Sequence, residues 1–543
     1  MTKRKKITFL IVLTLVLITT IAVLVGCNYG KEYILTLDVN GGNSLQKNAE
    51  VMKFGEKYVL PVPTRDSYVF LGWYIDNVAI TNSDGISIEV WKYNEDKTAT
   101  AMWSTLEDSD SNLIMENTTD GVSVIGIVDK SVTSIVVPDY ITEIEEGAFA
   151  ECNKLVRITL PFVGSNKSVK NDNVYTFGYI FGTNSYTGSV ETTQHIYSAT
   201  STSAKEVKYY LPETLTTITI KSGVITDGAF ENCKSISSVN IGNAVTEISY
   251  KAFAACTGIQ SIIIPNNVTQ IGEKAFYNCT NLNTVKIGQG VKNIAKEAFY
   301  NCYGIKNIEM QYGIQTIGQD AFYYCISIAT MTMPSSLQNI SKDAFKSAQI
   351  KNLYFTGTTY DWCNITFGNG YANPLNNVDA FYINNSLATN ITLDSKVENI
   401  KAFAFWGYNK LTSITFSSTI SSIGESAFEK CDKLASLIIN KSIKSIGLRA
   451  FYQCSSIVSI NLTEGTETIG GSAFAYCSKL KYINIPHSIS RIGGYAFQNC
   501  LQMAEITYSG TTTEWARIEK DVGWNASCPL GHKVICTNGE VIY

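Results

Sequence analysis

Histidine is nearly absent from this chain. His195, His487 and His532 are the only three among 543 residues, and they lie far apart in sequence. Catalysis that relies on imidazole as a general base has little to draw on, and a His-rich metal centre has no second histidine nearby. Charge is also scarce, at 17% of residues, and it is balanced: 43 Lys and Arg against 47 Asp and Glu, a formal net charge of -4. Nucleic-acid binding needs clustered cations, so no nucleic-acid partner is expected. No glycine-rich phosphate loop and no recognisable nucleophile–base arrangement is present. The chain is therefore read as a non-enzyme without cofactor or metal. Its 45% apolar content is nevertheless ample for a packed core, which argues against global disorder.

One apolar run is long. Lys3, Arg4, Lys5 and Lys6 precede a largely apolar stretch from Ile7 to Val25, which closes on Leu24-Val25-Gly26-Cys27. A basic region before an apolar one is the pattern of a secretory signal, and a run near ~20 residues also approaches the length of a membrane span. Leu-Val-Gly-Cys resembles the lipobox of bacterial lipoproteins. That resemblance implies cleavage before Cys27, acylation of Cys27 and a lipid anchor, with residues 1–27 as signal peptide. An uncleaved anchor helix is the alternative. Either way the remainder lies outside the cytoplasm, attached to the membrane.

Residues 31–103 read as strands and turns. Tyr33-Ile-Leu-Thr-Leu alternates and ends at Asp38-Val-Asn40-Gly41-Gly42, a turn signal. Pro61 and Pro63 mark a second break, Tyr68-Val-Phe70-Leu-Gly72-Trp73-Tyr74 follows, and the segment closes on Ala99-Thr-Ala-Met-Trp103. This succession resembles the internalin B-repeat (the Listeria–Bacteroides repeat). The resemblance implies a small β-grasp-like module used as a spacer or interaction unit, and Trp73 and Trp103 are read as core rather than as a ligand platform. Residues 104–121, acidic and rich in Ser, Thr and Asn, read as a linker.

The dominant signal is a repeat. Ala-Phe pairs begin at Ala229, Ala252, Ala275, Ala298, Ala321 and Ala344, and again at Ala404, Ala427, Ala450, Ala473 and Ala496, each step 23 residues within its run. A fixed period in this range signals a solenoid. One unit reads Ile271-Gly-Glu-Lys-Ala275-Phe276-Tyr-Asn-Cys279-Thr-Asn-Leu282-Asn-Thr-Val285-Lys-Ile287. Its alternating end is a strand with two inward apolar side chains, and coils stacked at ~4.8 Å would join these strands into one parallel sheet. A short second strand, as at Val268-Thr-Gln-Ile271, precedes the Ala-Phe corner. Glycine before it (Gly272, Gly318, Gly424, Gly447, Gly493) is expected to permit the sharp bend. Ile-Gly-x-x-Ala-Phe-x-x-Cys-x-x-Leu resembles the BspA-like leucine-rich repeat family, over roughly 122–543. The resemblance implies a leucine-rich-repeat horseshoe of about 15 coils with the parallel sheet on its concave face. It also implies a bacterial cell-surface adhesin that binds host extracellular-matrix or mucosal proteins, or another bacterial surface protein.

Ten cysteines, from Cys152 to Cys500, share one repeat position, which Ala348 and Tyr408 fill elsewhere. A column of buried free thiols is expected, since zinc sites need close Cys pairs and inter-coil disulfides need unusual geometry. Cys528-x3-His532-x3-Cys536 leaves three readings open: metal ligands, a disulfide, or free thiols.

The repeats proper span 122–508, with insertions at 161–208 and 356–387 and a C-terminal cap at 509–543. The first insertion carries Tyr175, Phe177, Tyr179, Phe181 and Tyr186, which serve either as a loop-borne recognition patch or as a hydrophobic cover. Gly357-Thr358-x-x-x-Trp362 and Gly510-Thr511-x-x-x-Trp515 read as two copies of a capping unit. The outward sheet face is small and neutral-polar, with Tyr354 and Tyr482 its main aromatics. It suits an extended protein ligand better than stacked sugars. The alternatives to an adhesin are a structural surface spacer and a glycan-binding protein, both without catalysis.

Overall fold

The computed structural model describes residues 30–65, 68–76, 78–81, 85–105, 112–118, 121–166, 175–197 and 204–543; the basic cap, the apolar run and Cys27 lie outside them. The chain divides into two compact units, Met1–Leu113 and Ile114–Tyr543.

In the first unit, Glu32–Asp38 pairs antiparallel with Ala49–Lys53 and parallel with Lys97–Thr105, which in turn pairs antiparallel with Tyr68–Ile75. The mixed sheet buries Leu35, Leu37, Phe70, Trp73, Trp91, Ala99 and Ala101. Trp73 is fully buried and donates its indole N–H to Pro61 O at 2.8 Å, whereas Trp103 is half-buried and donates to Val39 O at 3.0 Å. The Asn-Gly-Gly turn is an Asx turn, with Asn40 N–H donating to Asp38 Oδ1 at 2.9 Å. Gly42 is required by proximity: a Cβ there would stand 2.4 Å from the Trp103 ring.

The second unit is a parallel-strand β-solenoid of about 16 turns of roughly 23 residues. Part of the stretch expected to be linker is already structured, since Leu113–Thr118 is a strand of a small sheet with Gly121–Ile127 and Ile141–Ile144. The main ladder runs in register from Ser134–Val136 and Arg157–Leu160 through Ser261–Ile264, Thr284–Ile287 and Asn307–Met310 to Ile350–Phe355 and Val378–Ile383. It then stops. A short antiparallel return pairs Ile383 with Ser386, and a new ladder begins at Asn390–Thr392. The solenoid is thus two successive arrays, as the internal copy of the capping unit at Gly357–Trp362 suggests, and the second continues from Ser436–Ile439 to Lys533–Cys536. A second ladder of two-residue strands follows the same course, as in Gln270–Ile271, Asn293–Ile294 and Thr316–Ile317.

The alternation of the strands sets the core. In Ser261–Ile264 and Thr284–Ile287 every second residue is buried, and the Phe of each Ala-Phe corner joins them. Phe230, Phe253, Phe276, Phe299, Phe322 and Phe345 form one stack with centroids 5.1–5.3 Å apart and planes within 8°. Phe405, Phe428, Phe451, Phe474 and Phe497 form another, at 5.1–5.6 Å. Burying each ring stabilises by roughly 1.5–3 kcal/mol, and each ring pair adds about 0.5–1.5 kcal/mol.

The corner glycines act differently from the sequence expectation. Gly272 is not in the left-handed region; a Cβ there would fall 2.6 Å from the Ser249 carbonyl carbon of the preceding coil. Close stacking, rather than bending, excludes a side chain. The bends fall instead on non-glycine residues at positive φ, two per coil, such as Lys274 (58°) and Asn278 (58°). Their strain is offset because each N–H donates to the next coil, Lys274 to Lys296 O at 3.0 Å and Asn278 to Tyr300 O at 2.9 Å.

Both segments read as insertions contribute to the coil stack. The 3-10 turn Phe177–Phe181 supplies a missing corner: Phe149 N–H donates to Ile180 O, and Phe177 N–H donates to Ala229 O. Within 356–387, Thr366–Phe367 extends the short ladder and Val378–Ile383 the main one. The C-terminal segment likewise contains a further coil, with Glu519–Lys520 paired to Arg491–Ile492 and Lys533–Cys536 paired to Glu505–Tyr508.

Candidate functional surface

The outward positions of the main ladder form two rows. One runs Arg157, Thr217, Ser238, Ser261, Thr284, Asn307, Thr330, Asn352. The other runs Thr159, Thr219, Asn240, then Ile263, Lys286, Glu309, Thr332, Tyr354, Tyr382. Most are small and neutral-polar. Lys286 and Glu309 neutralise one another at 3.0 Å. Tyr354 lies beside Tyr382 of the next strand, with rings 4.6 Å apart and 10° from parallel. The two tyrosines are half-buried and stand where the first array's ladder ends. In the second array Tyr482 is half exposed on the sheet face, with Ile438 exposed two coils earlier.

Four outward residues escaped the sequence reading. Tyr382 lies in a segment out of phase with the repeat, although Phe381-Tyr382-Ile383 stands in register with Leu353-Tyr354-Phe355. Ile263 and Ile438 are 64% and 65% exposed yet read as inward Ile of an Ile-Ile-Ile or Leu-Ile-Ile run; only counting register from the neighbouring coils identifies them. The fourth is Tyr300, which stacks with Tyr277 at 4.9 Å and Tyr323 at 4.7 Å in a half-exposed row on the corner side. Ala-Phe-Tyr at three successive repeats is the signal for it.

Two of the five aromatics singled out in the first insertion turn into the core. Phe177 and Phe181 are fully buried, packed on each other at 5.3 Å, on Phe230 at 4.8 Å and on Phe149 at 6.4 Å. Tyr175, Tyr179 and Tyr186 are half-buried, and burial raises the phenol pKa of Tyr179 and Tyr186. The hydrophobic requirement of the corner column accounts for the two phenylalanines: they replace the Phe that this coil lacks in its usual Ala-Phe pair.

The cysteine position is uniform. All described cysteines are free, and all but Cys528 are buried. Eight of the ten repeat-position thiols donate to the carbonyl of the Phe one coil back, among them Cys279 to Phe253 O at 3.1 Å, Cys302 to Phe276 O at 2.9 Å and Cys454 to Phe428 O at 3.1 Å; Cys152 and Cys233 do not. Cys528 joins the same column by donating to Phe497 O at 3.2 Å, whereas Cys536 sits on the last main strand. Burial pushes the thiols of Cys325 and Cys363 up to about 12, so they stay protonated and unreactive. Among the described residues no group of His, Cys, Asp and Glu converges as a metal site.

The three histidines remain apart. His195 contacts Glu231 at 3.0 Å, which also accepts from Tyr197 O–H at 2.8 Å; His487 contacts Glu514 at 3.2 Å; and His532 stacks on Tyr543. No described helix is long and apolar enough to cross a membrane.

Stacked parallel strands, a buried Phe–Cys column and short coils of constant length define a leucine-rich-repeat solenoid. The chain matches the BspA type leucine rich repeat region in 6 copies, across residues 128–260, 202–290, 246–372 and 377–504, and it belongs to that family. No curated protein matches it. Among solved structures it is similar to a leucine rich cell surface protein of Faecalibacterium prausnitzii A2-165, at 23% identity over 76% of this chain and 98% of that one, TM-score 0.39. It is also similar to a leucine-rich repeat protein of Bacteroides ovatus ATCC 8483, at 18% identity over 73% and 98%, TM-score 0.38. A third is the pneumococcal vaccine antigen PcpA, at 14% identity over 78% and 98%, TM-score 0.37.

Proposed function

We propose that the protein is a cell-surface lipoprotein, acylated on Cys27, that acts as an adhesin or protein-binding scaffold without catalysis. Its partner is a host extracellular-matrix or mucosal protein, or another bacterial surface protein. The 31–103 module is of internalin B-repeat type, the part of 104–121 before Leu113 connects it to the repeats, and 509–543 is the C-terminal cap. The lipobox-like Leu24-Val25-Gly26-Cys27 supports the anchor. The observation that carries the binding role is the main ladder of the first array. It presents a long, mostly neutral-polar strip with a stacked tyrosine pair, Tyr354 and Tyr382, as an anchor at one end. Interfaces draw most of their energy from a few such aromatic anchors, set among near-neutral polar contacts.

The test is solid-phase binding of the full chain to purified matrix proteins and mucins. Saturable binding that Tyr354→Ala/Tyr382→Ala weakens supports the reading, and no saturable binding to any of them opposes it. Labelling with radioactive palmitate that Cys27→Ser abolishes would establish the anchor; equal labelling of the variant would refute it.

A further inference from the structure

The strongest unassigned surface lies on the second array, between the Ala-Phe corner and the sheet. An open groove of about 490 Å³ crosses four successive coils there. We propose that this groove binds a neutral oligosaccharide.

One end of the groove is shaped by a missing side chain. The residue before the cysteine position adopts positive φ in coil after coil and carries a side chain: Asn278, Asn301, Lys430, Gln453, Tyr476. In the first coil of the second array it is Gly407, at φ 76°. A Cβ at Gly407 would stand 2.8 Å from Asn376 Cα and Oδ1, so glycine lets Asn376, at the end of the 3-10 segment Pro374–Asn377, close that end of the groove. Tyr476 stands at the other end, three coils on, exposed and packed on one side against Tyr452 at 5.2 Å. The coil spacing of ~4.8 Å approximates one pyranose unit, so the groove is about three sugar rings long.

Its hydrogen-bonding capacity is unspent. Among the described residues no partner is present for the side chains of Asn376, Asn409, Gln453, Ser455 or Ser478, all of which line the groove. In the first array two amides at the position of Gln453 satisfy one another: Asn301 donates to Asn278 at 2.7 Å. Side-chain amides offer donor and acceptor together, which matches vicinal hydroxyls, and a Tyr face offers a platform for the C–H face of a sugar ring. Lys430 and Asp432, one on each side, balance in charge, which favours a neutral ligand over an anionic one. Partial burial raises the Asp432 carboxyl pKa, with Lys430 and Lys433 opposing the shift.

The full chain is titrated calorimetrically with cellotetraose, maltotetraose, mannotetraose and N-acetylated chitotetraose. At least one should saturate. Tyr476→Ala and Gln453→Ala should each weaken it by about tenfold, a loss near 1.4 kcal/mol. Tyr324→Ala, the equivalent of Tyr476 in the first array, should bind as wild type. Both groove positions tolerate several residue types between coils, and unchanged thermal unfolding verifies the fold. Saturation by none of the four, wild-type affinity in both groove variants, or equal loss in Tyr324→Ala would overturn the proposal. So would the release of a matrix protein by the groove variants without any saccharide binding. Tyr354→Ala/Tyr382→Ala should leave saccharide affinity unchanged, so this site and the sheet face stand or fall separately.

Discussion

The two arrays share an interior and differ outside. Both stack phenylalanines within a few degrees of parallel, and both donate cysteine thiols to the carbonyl one coil back. The first has an unbroken main ladder, tyrosines stacked on its sheet and corner sides, and amides that satisfy one another. The second has a ladder that restarts, an exposed Tyr482, and unpaired amide and hydroxyl side chains along its groove. The inward positions must fit the coil above and the coil below, so they repeat. The outward positions meet only solvent or a ligand, so each array is free to carry a different surface.

The junction offers the largest test of that division. Trp362 is fully buried, packs on Phe355, Phe367 and Phe381, and donates its indole N–H to Ala404 O of the second array at 2.8 Å. Trp515, in the matching unit, packs on Tyr508 and Trp524 and bonds Tyr543 at the chain end. Trp362→Ala should cost about 3–5 kcal/mol and separate denaturant unfolding into two transitions, one per array. Trp515→Ala should instead fray only the last coil. A single unchanged transition in Trp362→Ala would mean that the arrays are coupled by other contacts.

Next in size is the first array's substitute corner. Phe177→Ala should lower stability by about 3–5 kcal/mol in chemical denaturation, because the ring fills the core column, while leaving ligand affinity within error where the protein is folded. A loss of affinity without loss of stability would restore the insertion as a recognition patch.

A smaller effect should be equal in the two arrays. Cys279→Ala and Cys454→Ala each remove one buried thiol and its weak bond to a carbonyl, and each should cost about 1 kcal/mol. Ala348 fills this position naturally. Unequal costs would show that the interiors are not equivalent.

The smallest effect concerns one cap. The Thr511 N–H, then its hydroxyl, then His487 hold the Glu514 carboxyl down at about 2, against 4.5 ordinarily. A carboxyl depressed on folding stabilises above its unfolded value and loses that contribution as pH falls toward the folded one. The exchange protection of the Thr511 amide should therefore decline from pH 4.5 to 2, and in Glu514→Gln it should be low throughout.

What the sequence made legible follows the same inside–outside division. The 23-residue period, the Ala-Phe corners, the Cys column and the short strand before each corner all derive from positions constrained by stacking, and they stand in the structure as read. The junction left a trace, since Ala344 and Ala404 stand 60 residues apart, out of step with the 23-residue period, and a copy of the Gly-Thr-x-x-x-Trp unit falls between them; the residue where the ladder stops did not show. The role of Phe177–Phe181 was hidden because a 3-10 turn replaces the Ala-Phe pair. Tyr382 was obscured because it lies outside the periodic segments. The groove depends on an absent side chain at Gly407 and on the approach of Asn376, and proximity between distant segments leaves no pattern in a linear sequence.

The central claim is that the first array's sheet face binds an extended protein through the Tyr354–Tyr382 pair. Its most direct test is the affinity of the full chain for immobilised matrix and mucosal proteins, wild type against Tyr354→Ala/Tyr382→Ala, with thermal unfolding as control. The account predicts saturable binding by wild type and a loss of about 2 kcal/mol or more in the variant at unchanged stability. Equal binding by the two proteins would contradict it.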